Sequence, residues 1–172
     1  MLSRYVDTTR RFGAASVVRL TADCPLIDPL LIDAAVHRFA QTGCDYLSNM
    51  LHPSYPYGLA VEVMTAQALL AAGAEAVDPQ EREHVTPFIY WRAERFRLES
   101  MTRTPDLSHH RWTVDTPQDF DLVSRILSVL YPRKPDFGMA DVLAMLDEHP
   151  DWVKINADVA QKTARRSTQD TP

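Results

Sequence analysis

The sequence predicts an α/β domain with a sheet flanked by helices, and three observations carry that prediction. Helical and strand-like periods alternate from the first residues onward. The first strand-like run, Ala14 to Ala22 (AASVVRLTA), is apolar almost throughout. Helix-capping signals recur between the runs. An apolar run of that kind reads as a strand covered on both faces, which a largely parallel sheet provides.

Taken in order, residues 2–12 (LSRYVDTTRRF) read as a helix, with Tyr5 and Phe12 at helical spacing and Gly13 placed to stop it. After the apolar strand, Pro29 opens a helix with Leu31, Ala35 and Phe39 on one side. Asp45 to Asn49 (DYLSN) and Leu59 to Met64 (LAVEVM) read as strands, separated by a Pro- and Gly-bearing loop at Tyr55 to Gly58. Thr65 can cap the alanine-rich helix that follows. Asp78, Pro79 and Glu81 supply an acceptor, a first-turn proline and a capping-box glutamate for another helix. Pro87 should kink or interrupt it.

Arg97 to Thr102 and Arg111 to Val114 are further strand candidates, which brings the sheet to about five strands. Thr116 and Pro117 start the strongest helix, with Phe120, Val123, Leu127 and Leu130 on one face, and it ends at Tyr131 before Pro132. Met139, Val142, Leu143 and Leu146 mark a last helix, closed by Pro150. Residues 1–160 are thus expected to form one domain, and 161–172 a polar, disordered tail.

Composition narrows the function. The chain has 172 residues, 45% hydrophobic and 24% charged, enough for one sizeable core. Its net charge of -5 and the lack of a basic patch argue against a nucleic-acid partner. No apolar run reaches the ~18 residues of a membrane span, and no signal peptide opens the chain. Cys24 and Cys44 have neither metal-ligand nor redox spacing, so they read as small buried side chains in a reducing, cytoplasmic setting. The five glycines are scattered singly, and none builds a phosphate-cradling loop.

Two aspartates stand out by position. Asp23 follows the apolar strand in TADCPLID, and Asp115 follows RWTV in TVDTPQD. Ligands of open α/β sheets bind outside the carboxyl ends of the strands. Two carboxylates at that edge suit Mg²⁺, which takes oxygen ligands, keeps several waters and shares substrate phosphates. The alternative is that each is a helix-capping acid, a common use of Asp at such turns.

Glu62, inside LAVEVM, either faces solvent or faces the cleft. Arg82, Glu83 and His84 could meet an anionic sugar or phosphate, or form a solvated charged face. His109, His110 and Arg111 read as a polar turn before a strand. No HExxH and no Ser-His-Asp or Cys-His ordering supports zinc or covalent catalysis.

Five segments occur here in one order: VVRLTADCPLIDPLLID, DYLSN, YPYGLAVEVMTAQAL, EREHVTPFIY and RWTVDTPQDFDLV. Together they closely resemble the cytidylyltransferases of the spore-coat polysaccharide biosynthesis type, relatives of the CMP-Kdo and CMP-sialic acid synthetases. The resemblance runs from about Leu2 to about Asn156 and implies a Rossmann-related, glycosyltransferase-A-like mixed sheet flanked by helices. It implies Mg²⁺-dependent transfer of CMP from CTP to a sugar hydroxyl, with loss of pyrophosphate. Carried over by motif, Asp23 and Asp115 hold the metal and act in catalysis. Glu62, Arg82, Glu83 and His84 fall in segments that resemble the sugar-side wall. Relatives of this kind often pair as dimers, so a homodimer is an expectation open to test.

Two departures bear on that reading. Many relatives have an acidic residue where this chain has Tyr57 or Ala60. The family also opens with a strand and an Arg-, Gly- and Ser-rich loop that grips the nucleotide, and no such loop stands here. At ~30 residues per βαβ unit, roughly 60 or more residues of the family pattern, including its first strands, would lie upstream of Leu2. Two other functions compete. One is a catalytically inactive remnant that binds a sugar or a partner protein. The other is a nucleotide-sugar-dependent glycosyltransferase, whose usual Asp-x-Asp pattern is broken here by Cys24 and Pro25.

Overall fold

The structure is a computed structural model that describes residues 1–161; residues 162–172 of the expected tail lie outside the described residues. Among the described residues, four strands form one sheet in the order β1-β3-β2-β4: β1 (Ser16–Arg19), β2 (Tyr46–Ser48), β3 (Glu62–Thr65) and β4 (Leu98–Ser100). β3 is antiparallel to β1 and β2, whereas β2 and β4 are parallel. Three strands therefore point one way and β3 opposes them.

This is the mixed sheet implied by the family resemblance, and it corrects the largely parallel sheet suggested by alternation alone. The cause lies between β2 and β3, where no helix intervenes to carry the chain back across the sheet. Instead the buried Asn49 side chain donates to Leu59 O (2.7 Å) and accepts from Val61 N (2.9 Å), which folds the connection back beside β2.

The expected fifth strand is absent among the described residues. Residues 111–114 are extended, but they bond to two loops: Tyr57 N donates to His110 O, Trp112 N to Tyr57 O, and Val114 N to Asp23 O.

Among the described residues, seven α-helices surround the sheet: α1 (Leu2–Phe12), α2 (Pro29–Thr42), α3 (Ala66–Glu75), α4 (Pro79–His84), α5 (Pro87–Tyr90), α6 (Pro117–Leu130) and α7 (Met139–Glu148). The capping signals act as expected: Thr65 accepts from Ala68 N, Asp78 from Gln80 N and Thr116 from Asp119 N. Glu81 does not complete a capping box but pairs with Arg92. Asp28 caps two helices at once, with Oδ1 on Leu30 N and Oδ2 on Met139 N (both 2.8 Å), and so ties α7 to the start of α2. α4 and α5 are one helical stretch broken just before Pro87, as that proline requires.

Side chains alternate across the sheet and build a core on each face. Leu47 and Val63 pack with α2, α6 and α7, around the fully buried Trp112. Tyr46 and Met64 point the other way, into α1, α3 and α5.

Three expected faces are corrected. α1 buries Leu2, Val6 and Thr9, while Phe12 is 74% exposed. α6 buries Leu122, Val123, Ile126 and Leu130, and Phe120, one position off that face, is 64% exposed. β1 is covered on one side only: α2 packs over β2 and β3, and Val18 and Leu20 remain about two-fifths exposed, at 40% and 39%.

Candidate active site

The carboxyl ends of β1, β2 and β4 lie along one edge of the sheet, and β3 starts there at Glu62. Asp23 stands four residues past the end of β1. Its carbonyl accepts from Val114 N (2.8 Å) and from Thr113 Oγ1 (3.1 Å). These bonds draw the Asp23 loop against the segment leading to Asp115, so two carboxylates far apart in sequence leave adjacent stretches of backbone. Both reach solvent, Asp115 with its side chain 45% exposed.

A third loop closes on this junction. Gly58 has φ +105°, and a Cβ there would stand 2.4 Å from both Trp112 C and Thr113 N. Only glycine permits that approach, which places Tyr57 beside Arg111, 5.9 Å from guanidinium carbon to ring centre. Gly58→Ala is therefore expected to lower stability by about 2 kcal/mol or more, since backbone on backbone cannot give way. A urea midpoint unchanged from wild type would show that the loop can move aside.

Three side chains around this junction, Tyr57, Cys24 and His110, stay neutral at neutral pH. Burial pushes the Tyr57 hydroxyl up; Arg111 pulls against this, and Asp115, Cys24 and Asp23 add to the rise. Burial likewise raises the Cys24 thiol, opposed by its contact with Thr21. A buried thiol shifted in that direction is no nucleophile. Burial, helped by His109, holds His110 down at about 4, so it too is uncharged at neutral pH.

Arg111, taken from sequence as part of a polar turn, is the hub of the site. Its guanidinium grips Asp119 in a fork, Nε to Oδ1 and Nη2 to Oδ2, both 2.9 Å, and Nη2 also reaches Asp115 Oδ2 at 2.6 Å. Asp119 is fully buried. Burial disfavours its charge, but the bonds from Arg111, Asn156, the Asp115 amide and Thr116 outweigh that and hold it well below the usual carboxylate range. The sequence carried one signal for Asp119, its place three residues after Thr116 in a capping box, which the structure contains. Nothing in the sequence marked Asn156.

Glu62 sits on the same sheet edge, 7% exposed. Oε1 accepts from Tyr46 OH (2.5 Å) and Thr86 Oγ1 (2.6 Å), and Oε2 pairs with Arg19. Val85, between α4 and α5, turns Thr86 toward it with φ +75°, a rare conformation for a β-branched residue. Tyr90 stands close by, its hydroxyl pushed up to about 12 by burial and by Glu62.

Arg82, Glu83 and His84 are exposed on α4. Arg82 donates to Ala76 O at the end of α3 (3.0 Å), and Glu83 lies 3.8 Å from the Met1 amino group. These contacts run toward α3 and α1, not toward Asp23 or Asp115.

Among the described residues, no group of three or more His, Cys, Asp and Glu side chains is arranged to hold a metal ion by itself. Two solvent-facing carboxylates on joined loops match a different pattern, in which water and substrate oxygens complete the shell around Mg²⁺. The donor chemistry at Asp23 and Asp115 fits that ion. No helix among the described residues is long and apolar enough to cross a membrane.

Known proteins resemble this chain in structure or in sequence. A solved structure of a cytidylyltransferase from Leptospira borgpetersenii superposes with a TM-score of 0.83 at 26% identity, over 95% of this chain and 67% of that one. An uncharacterised protein of Methanocaldococcus jannaschii is 30% identical over 167 residues, 96% of this chain and 67% of its own length. The spore coat polysaccharide biosynthesis protein SpsF of Bacillus subtilis is 27% identical over 157 residues, 88% of this chain and 62% of its own length. The chain thus spans roughly two-thirds of these relatives. The family model described as cytidylyltransferase matches residues 2–131, from α1 to the end of α6, including both aspartates and the Arg111–Asp119 pair. The chain belongs to the cytidylyltransferase family.

Proposed function

We propose that these residues form the metal-holding and sugar-side part of an enzyme that transfers CMP from CTP to a sugar hydroxyl, releasing pyrophosphate. The observation that carries this reading is the backbone junction between Asp23 and Val114, which delivers two carboxylates to one sheet edge. Asp23 and Asp115 would hold Mg²⁺ there. Bound Mg²⁺ supplies charge neutralisation and orientation of the phosphates.

The protein's own groups complement that task. Arg111 keeps the Asp115 carboxylate aimed and compensates its charge. Tyr57 and Cys24 remain protonated at neutral pH, so Tyr57 can donate to a phosphate or sugar oxygen without adding negative charge. Glu62 would act on the sugar side through its hold on Arg19, whereas a sugar-side role for Arg82, Glu83 and His84 rests on the family resemblance alone. The likeness to a protein named for spore coat polysaccharide biosynthesis supports a role in making a surface polysaccharide.

A thermal melt with and without millimolar Mg-CTP tests this. A ligand at ~100 times its dissociation constant adds ~2.7 kcal/mol, or roughly 5–10 °C for a chain of this size. The rise should vanish in Asp115→Ala, whose melt without ligand stays close to wild type. A cooperative wild-type melt that ignores Mg-CTP would mean that Asp23 and Asp115 do not hold the nucleotide without the family's Arg-, Gly- and Ser-rich loop, and would overturn the reading for these residues alone.

A further inference from the structure

We propose that Asn156 and Asp119 are positioning residues for the Asp115 carboxylate, so that the segment following α7 helps set how firmly the site holds a divalent cation. This rests on the reading of Asp115 as a cation ligand. Asn156 lies outside residues 2–131, the stretch that the family model matches.

The argument starts from one amide nitrogen. Asn156 is 3% exposed, and its Nδ2 donates both to the backbone carbonyl of Arg111 (2.9 Å) and to Asp119 Oδ1 (2.7 Å). Asp119 Oδ2 accepts from the amides of Asp115 (3.1 Å) and Thr116 (3.0 Å), and both oxygens accept from Arg111. Asp119 therefore fixes the main chain of Asp115 directly and its side chain through Arg111. Asn156 fixes Asp119 on one side and the main chain of Arg111 on the other.

Packing puts Asn156 there. The chain leaves α7, makes one 3-10 turn at Trp152–Lys154, and lays Trp152, Val153 and Ile155 against the core beneath α2, α6 and α7. The amide is thus presented by a packed segment rather than by a free loop. Groups that hydrogen-bond a metal-ligating residue orient it and raise metal affinity, and their loss commonly weakens binding by about 10–100-fold.

Titration of the 172-residue chain with Mn²⁺, followed by the electron-spin-resonance signal of the free ion, tests the proposal in wild type, Asp115→Asn and Asn156→Ala. Asp115→Asn should lose binding. Asn156→Ala, held below its melting temperature, should bind about 10-fold more weakly. A purely structural Asn156 would lower the melt and leave the affinity of the folded fraction unchanged. Asn156→Ala within about twofold of wild type, alongside loss in Asp115→Asn, overturns the positioning role and leaves the metal reading standing. Full binding in Asp115→Asn, or none in wild type, overturns the metal reading and this inference with it. If Asn156→Ala shows no cooperative melt, Asn156→Ser, too short to bridge Arg111 O and Asp119 Oδ1, replaces it under the same criterion.

Discussion

Replacing Asp119 with alanine is expected to cost ~3–5 kcal/mol, as removal of one partner from a buried ion pair does. The carboxylate has no exposed surface, and its fork with Arg111 is the main compensation for a guanidinium whose side chain is only 9% exposed. Its loss would also leave the amides of Asp115 and Thr116 without this acceptor and the Asn156 amide with Arg111 O alone. At ~2–4 °C per kcal/mol, the melting point should fall by roughly 6–20 °C.

The pH dependence has a definite sign. The folded-state pKa of Asp119 is depressed below the unfolded value of ~3.9, so its stabilisation is complete above that value. It is lost as pH falls below ~4 toward the folded pKa, because protonation then favours the unfolded chain. Urea unfolding at pH 7 and again at pH 3 should show the wild type losing part of its advantage over Asp119→Ala in acid. A variant within ~1 kcal/mol of wild type at pH 7 would mean that water readily replaces these bonds.

The contrast between Asp119 and the two metal-reading aspartates shows where sequence is informative. Asp23 and Asp115 could be singled out because each follows an apolar or extended run and precedes a proline-opened helix; topology puts Asp23 past a strand end, while Asp115 reaches that edge through the bond of Val114 to Asp23. Helix starts were legible for the same local reason: Thr65, Asp78 and Thr116 cap within three residues of themselves. What sequence could not show is what depends on distant contacts. The direction of β3 is decided by Asn49 clipping a loop ten residues on, and the backbone of Arg111 is held by Asn156, which returns from beyond α7. The exposed Phe12 and Phe120 mislead for the converse reason. Apolar identity marks a candidate core position, but the buried face is chosen by what packs against the helix, and both rings fall off that face.

Glu62 is the second position where a large effect is expected, and its test separates two uses of one carboxylate. In LAVEVM it could face solvent or cleft, yet both oxygens are occupied within the protein, by Tyr46, Thr86 and Arg19. Glu62→Leu is expected to cost ~3–5 kcal/mol, because Arg19, its side chain only 17% exposed, is left without a counter-charge. The two hydroxyls add to that figure, since unpaired buried donors cost ~1–3 kcal/mol each. Adding Arg19→Met should restore part of the loss, as buried ion pairs can be exchanged for apolar packing of similar volume. The hydroxyls of Tyr46 and Thr86 would still lack an acceptor, so recovery should stop short of wild type. A carboxylate that served chiefly as a sugar ligand would behave in the opposite way. Glu62→Leu would then leave the urea midpoint near wild type, Arg19→Met would rescue nothing, and the change would appear only in the sugar KM of an active enzyme. Both oxygens of the buried Glu62 carboxylate are held by Tyr46, Thr86 and Arg19, which predicts the first pattern.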